Sequence, residues 1–203
     1  MSSPPDFFDS PGPENTDRVI AAVARRVSCG GIAAVVVAST SGLSALKLAR
    51  VLAVNSHTNG TKVVCISEPP SYAEVVGRWP TVDPGIVEEL ARLGVRVVND
   101  QPFVFHNSVI GEAKVPITAE ALLRSFLEKC FGSGMKVAAE CILMATSAGA
   151  IPPFEAVIGV GGSHSGLDTA IVARSTYTSR ALSDDPGKCF TIMEVLAMPR
   201  RKF

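Results

Sequence analysis

The stretch from Ile32 to Leu52, IAAVVVASTSGLSALKLARVL, sets the narrowest limit on the folds open to this chain. Its apolar run from Ile32 to Ala38 is too short for a membrane span and rich in valine. Such a run suits a strand buried on both faces, as in a parallel sheet. The turn Ser39-Thr40-Ser41-Gly42 follows at once, and Ala45, Leu48 and Leu52 then fall along one side of a helix. A strand that feeds a helix through such a turn leaves backbone N–H groups free at the helix N-terminus. Those donors, the helix dipole and the short hydroxyls together make a phosphate site.

Parallel strands need crossover helices, and the rest of the chain supplies them. Val19, Val23 and Val27 fall four apart in a helix that Asn15 or Thr16 can cap and Gly30-Gly31 can end. A polar turn over 55–60 leads to a second short strand, Lys62 to Ser67. Asp83 reads as an N-cap with Pro84 at the first helical position, Ile86, Val87, Leu90 and Leu93 as a buried face, and Gly94 as the stop. Val95 to Val98 is a third strand, and the alternation predicts a parallel α/β sheet. Thr118 can cap a helix carrying Leu122, Leu123, Phe126, Leu127 and Cys130. Met135 to Ala148 is apolar almost all round and reads as a helix sandwiched in the core, with Glu140 inside it. A carboxylate there needs a partner or a raised pKa, and is read as a structural hydrogen-bonding group ahead of a ligand group.

Two apolar runs, Ala156–Val160 and Asp168–Ala173, flank the glycine-rich loop 161–166 and predict a hairpin, so the last part of the sheet is expected to be antiparallel. The loop backbone can also form an anion-binding nest. Phe190 to Met198 is the final strand. The expected fold is an α/β three-layer sandwich, mostly parallel, with residues 15–203 as one domain behind a proline-rich, flexible lead-in over 1–14. Two irregular stretches, 68–84 with Tyr72 and Trp79 and 99–116 with Phe103, Phe105 and His106, are either lids over a site or surface crossovers.

Nineteen basic residues balance nineteen acidic ones, so no overall charge favours nucleic acid or an anionic membrane. The N-terminus lacks the basic start and apolar core of a signal peptide. Five cysteines without C-x-x-C spacing suit reduced, mostly buried thiols in a cytoplasmic protein. His57, His106 and His164 read as solvated loop residues, and Arg200 as part of a solubilising tail. No Ser-His-Asp, Cys-His or paired-carboxylate spacing stands out.

The two loops, in this order, resemble the C-terminal domain of pyruvate kinase. That domain carries a T/S-x-S/T-G-x-S/T-A loop, matched by Ser39-Thr40-Ser41-Gly42-Leu43-Ser44-Ala45, and a later glycine-rich effector loop, whose place Val157 to Thr169 occupies. A closer resemblance, from Gly12 to Lys202, is to the stand-alone pyruvate-kinase alpha/beta-domain-like proteins best known from archaea. Pro13-Glu14-Asn15-Thr16, the block from Gly134 to Pro152, VGGSHSGLDTAIV and Met198-Pro199-Arg200 carry it. The first resemblance implies loops that hold the phosphates of an effector, and the second implies FMN.

On this reading Ser39, Thr40, Ser41 and Ser44 supply hydroxyl donors, and Gly42 lets the backbone approach the phosphate. Gly161, Gly162, Ser163 and Gly166 form the second wall, Asp168 accepts from a ribityl or sugar hydroxyl, and Thr169 donates. The plainer readings stay open: hydroxyls that only cap a helix, glycines that only close a hairpin, and an Asp168 that only caps its own turn. Pyruvate kinase chemistry needs a barrel of roughly 250 residues and is not expected of this chain. The expectation is a binder of a phosphorylated small molecule, FMN foremost. The alternatives are an FMN-dependent oxidoreductase, with the protein orienting the flavin, and a sugar-phosphate-sensing or assembly module, with a homo-oligomer left open.

Overall fold

The computed structural model describes residues 4–54, 60–106 and 118–203. In chain order the strands are β1 (Asp6–Phe8), β2 (Ala34–Ala38), β3 (Lys62–Ile66), β4 (Arg96–Val98), β5 (Ala156–Gly161), β6 (Thr169–Arg174) and β7 (Thr191–Pro199). The helices are α1 (Thr16–Ser28), α2 (Leu43–Val54), α3 (Ala73–Val76), α4 (Pro84–Arg92), α5 (Ala119–Phe131) and α6 (Ser133–Ser147). One sheet runs β1-β7-β6-β5-β2-β3-β4. β2 pairs in parallel with β3 and β5, β3 with β4, and β1 with β7, while β5–β6 and β6–β7 are antiparallel. The mostly parallel sheet and its antiparallel C-terminal hairpin are therefore as the sequence pattern predicts.

Helices cover both faces. Val19, Val23 and Val27 of α1 join Leu48 and Leu52 of α2 and Leu90 of α4 over Val35, Val37, Ile158 and Val160. On the other face Ala138, Ile142 and Ala145 of α6 pack on Ala34, Val36, Val64, Val157 and Ile171. The period-two alternation along β2 explains the division, since Val35 and Val37 face one helix layer and Val36 the other. α5 lies against α6 and buries no residue fully. Among the described residues no helix is long and apolar enough to cross a membrane.

Chain direction sets where a ligand can enter. From β2 the chain steps outward through α2 to β3 and through α4 to β4, all over one face. It then returns over the opposite face through α6 to β5, on the other side of β2. Right-handed crossovers travelling in opposite directions must use opposite faces. Between β2 and β5 the strand order reverses, and beside such a reversal a crevice opens at the carboxyl ends of the strands.

Several local expectations change. Of the α4 face read as buried, only Leu90 is buried, while Val87 and Leu93 are exposed. Residues 6–8, read as part of a flexible lead-in, form an edge strand with Asp6 opposite Ala197 and Phe8 opposite Pro199, and the Phe8 side chain is buried. One buried aromatic was too short a signal to stand out among prolines. Asp83 sits at the N-cap of α4, yet its side chain makes no cap bond and instead accepts from Arg78 Nη1 at 2.6 Å. All five cysteines are free thiols, but only Cys65 and Cys141 are buried. His57 and the part of the second irregular loop over 107–116 lie outside the described residues.

Candidate functional site

At the carboxyl ends of β2, β3 and β5 lies a cleft of about 430 Å³. One side is the turn after β2. Gly42 is the N-cap of α2, since its carbonyl accepts the first helical bond from Leu46 N at 2.9 Å. The amides of Leu43, Ser44 and Ala45 therefore have no partner within the helix. Ser39, Thr40, Ser41 and Ser44 all line the cleft. The turn is pinned from behind: Thr40 O accepts from Thr81 Oγ1 at 2.6 Å and Ser67 Oγ at 3.2 Å, and those two hydroxyls lie 2.7 Å apart.

The β5–β6 loop forms the facing side, with Gly162, His164, Ser165 and Gly166 on the cleft. It is a closed hairpin braced from beneath. Asp168 is fully buried, accepts from Ser163 N at 2.9 Å and from Thr169 Oγ1 at 2.8 Å, and lies outside the cleft lining. The loop is also tied to α1, because Thr16 Oγ1 accepts from Leu167 N at 3.0 Å and donates to Pro13 O at 2.6 Å.

Of the residues singled out in the sequence, Ser39, Thr40, Ser41, Ser44, Gly162 and Gly166 meet at one cleft, whereas Gly42, Gly161, Ser163, Asp168 and Thr169 do not line it. Each of the latter has another task. A Cβ on Gly42 would lie 2.7 Å from both Val82 Cγ1 and Ile86 Cγ2, so this glycine admits the core rather than a phosphate. A Cβ on Gly161 would meet Gly134 O at 2.5 Å and Ala138 N at 2.8 Å, so this glycine lets α6 lie directly on β5. Asp168 and Thr169 brace the hairpin, which is the plainer of the two readings open for Asp168. Ser163 hands its amide to Asp168, and its covered hydroxyl has no hydrogen-bond partner.

The third side comes from α6, α5 and the irregular segments, and most of it was not anticipated. Lys136, Val137, Glu140, Cys141 and Met144 of α6 line the cleft, with Arg124 of α5 beside them. Lys136 and Glu140, four apart and both buried, pair at 3.1 Å, and Lys136 Nζ also lies 4.0 Å from Glu128. Arg124 pairs with Glu128 at 3.1 Å. Phe105 N donates to Glu140 Oε1 at 2.8 Å, and His106 Nδ1 lies 3.4 Å from the same oxygen. Burial alone would raise the Glu140 pKa. The His106 hydrogen bond, the Lys136 charge and the Phe105 amide outweigh it and hold the carboxyl below its usual value. His106 is thus part of a buried polar network, not the solvated loop residue its neighbours suggested.

Aromatic rings close one end. Phe103 meets Tyr72 edge-on at 5.3 Å and His106 at 4.6 Å, and all three line the cleft. Trp79 stands apart from the lining and ties the segment down, its indole N–H donating to the carbonyls of Glu68 at 3.1 Å and Asn99 at 3.3 Å. Glu68 does reach the cleft, where its Oε1 accepts from Thr40 Oγ1 at 2.8 Å. Its carboxylate makes the Thr40 end the wrong place for a dianion. Among the described residues no group of three His, Cys, Asp or Glu could hold a metal ion. No model of a known protein family matches the chain.

Proposed function

We propose that the cleft binds a phosphorylated small molecule, FMN foremost. The observation that carries this reading is the meeting of two sequence-distant loops, 39–44 and 162–166, beside two cationic side chains, Lys136 and Arg124. The phosphate sits against Ser41, Ser44 and the amides of the first turn of α2, of which Leu43 N also meets Ser41 Oγ at 3.5 Å, and the helix dipole there favours negative charge. Glu68, at the opposite end of the same turn, takes the hydroxyl-accepting part first assigned to Asp168. The rings of Tyr72, Phe103 and His106 offer a planar group an apolar, polarisable contact, which favours a flavin over a sugar phosphate. The volume falls within the range of about 300–1,000 Å³ usual for small-molecule sites.

The test is the visible absorption spectrum of the purified protein titrated with FMN, with riboflavin as the phosphate-free control. Saturable FMN binding with much weaker riboflavin binding is expected. Charge-assisted hydrogen bonds contribute about 1.5–3 kcal/mol each, so Ser41→Ala with Ser44→Ala should weaken FMN at least tenfold and leave riboflavin unchanged. Equal binding of the two flavins, or an unaltered FMN affinity in the variant, rules out the phosphate loop. Binding of sugar phosphates with no flavin binding would replace FMN by a sugar-phosphate effector.

A further inference from the structure

Holding a phosphate gives no work to the Glu140 carboxylate or the His106 imidazole, yet both are placed with care. Glu140 is 3% exposed, and its carboxylate faces donors among the described residues: Phe105 N, Lys136 Nζ and the His106 ring. An ionised carboxylate has no proton to give, so Nδ1 of His106 must be the donor across the 3.4 Å contact. In the neutral ring that leaves Nε2 as a bare lone pair. The ring is held a second time by Phe103, 4.6 Å away, while its side chain keeps 24% exposure and lines the cleft. A base whose orientation and tautomer are fixed by a buried carboxylate is the arrangement that nucleophile-activating sites use.

We propose that His106, oriented by Glu140, is an acid–base group acting on the end of the bound molecule away from its phosphate, with Lys136 facing the charge that develops there. This rests on the reading that the cleft takes a phosphorylated small molecule. It adds a chemical class: a ligand whose far end is a planar ring or carbonyl bearing an ionisable N–H, O–H or adjacent C–H bond. In the step, that bond breaks and its electron pair stays on the ligand, while the proton forms Nε2–H. The imidazolium is balanced by Glu140, and the ligand's negative charge lies toward the Lys136 ammonium. Return of the proton closes the cycle without oxidant or reductant. The other titratable groups on the cleft are Arg124 from α5, Cys141 from α6, Glu68 and Tyr72 from the segment after β3, and His164 from the β5–β6 loop; Glu128 of α5 pairs with Arg124 and lies near Lys136. Burial, with the Glu140 charge beside it, pushes the Cys141 thiol well up and keeps it neutral.

The experiment is ¹⁵N NMR of the uniformly labelled full chain, with the rings of its three histidines assigned by single His→Gln variants at pH 8. The ligand-free protein should show His106 with Nδ1 protonated and Nε2 bare. Glu140→Leu, or Lys136→Met with Glu140→Leu where the single variant folds poorly, removes the acceptor and should release the ring to the Nε2–H tautomer that free imidazole side chains prefer. A protonated Nε2 in the unaltered protein, or a tautomer indifferent to loss of the carboxylate, overturns the proposal. Titration with FMN should then shift the His106 Nε2 resonance. FMN that perturbs the amides of Ser41 and Ser44 but not His106 also overturns it. FMN that perturbs nothing refutes the ligand reading alone, and the tautomer measurements then decide whether the oriented base exists.

Discussion

Replacing Lys136 by Met tests the buried pair at the heart of the cleft. Lys136 is 6% exposed and its ammonium lies 3.1 Å from Glu140, which is itself 3% exposed. Removing one member of a buried ion pair typically costs about 3–5 kcal/mol, because the other charge stays behind without compensation. Glu140 retains the Phe105 amide at 2.8 Å and His106 at 3.4 Å, so the expected loss is near the lower end, about 3 kcal/mol. For a chain of this size that corresponds to roughly 6–12 °C in Tm. Glu140→Gln should cost as much or more, since among the described residues the other carboxylate paired with Lys136 is Glu128, 4.0 Å away. Exchanging both residues, Lys136→Met with Glu140→Gln, leaves no stranded charge and should recover most of the loss.

The assay is urea unfolding of the three variants and the parent at pH 7, read as a double-mutant cycle. The pH dependence supplies an independent sign. In the parent the Glu140 pKa is depressed, so its contribution is fully present above the unfolded value of about 4.3 and fades as pH falls through the folded value. Without Lys136 the burial that dominates at Glu140 is less opposed, and its pKa rises. The deficit of Lys136→Met should therefore shrink as the pH is lowered through the raised Glu140 pKa of the variant, at a higher pH than the one at which the parent begins to lose stability. Two single variants that add without coupling, or a Lys136→Met deficit that stays constant until the parent itself loses stability, would refute the reasoning.

Two further substitutions test the frame around the cleft by thermal unfolding. Gly134→Ala gains helix propensity of at most about 1 kcal/mol, but its Cβ would lie 2.2 Å from Asp168 Oδ1 and 2.4 Å from Thr169 Oγ1. A net loss of about 1–3 kcal/mol is expected, whereas Gly85→Ala, with nothing within 4 Å, should be neutral or stabilising. Thr81→Val removes the hydroxyl that holds Thr40 O and Ser67 Oγ, and should cost about 1–3 kcal/mol while weakening any ligand of the 39–44 turn. A Thr81→Val protein with unchanged stability would show that the turn holds itself.

How far the sequence reveals this molecule depends on whether a feature is local. The strand–turn–helix at Ile32–Leu52, the Thr118 cap that accepts from Ala121 N at 3.2 Å, and the all-round burial of α6 each follow from contiguous residues. So does the hairpin at 156–174. The role of a glycine is not local. Gly161 reads as part of a loop from its neighbours, but Gly159 and Gly161 both face α6, where a Cβ would meet Ala138 O at 2.7 Å and Gly134 O at 2.5 Å. Their spacing of two along a strand is the signal of close helix–sheet approach, and it was legible beside the turn reading. Lys136 had a signal too, lying one helical turn before Glu140 in an apolar helix. Arg124 and Glu68 had none, because only the fold brings α5 and the end of β3 to the same cleft.

That dependence explains why the site is assembled where it is. Close packing of α6 on β5 through Gly159 and Gly161 draws the first turns of α6 to the edge of the sheet, and with them Lys136 and Glu140. The reversal of strand order between β2 and β5 sets the start of α2 on the opposite face of the same edge. A helix N-terminus and a buried cation thus approach one space from two sides, and both favour negative charge. Glu140 and Glu68 divide that space, one neutralised within a network and one bound to Thr40. Among the described residues no carboxylate is hydrogen-bonded to Ser41, Ser44, Gly162 or Gly166, which is why the proposed phosphate is placed between those two loops, away from Glu140 and Glu68.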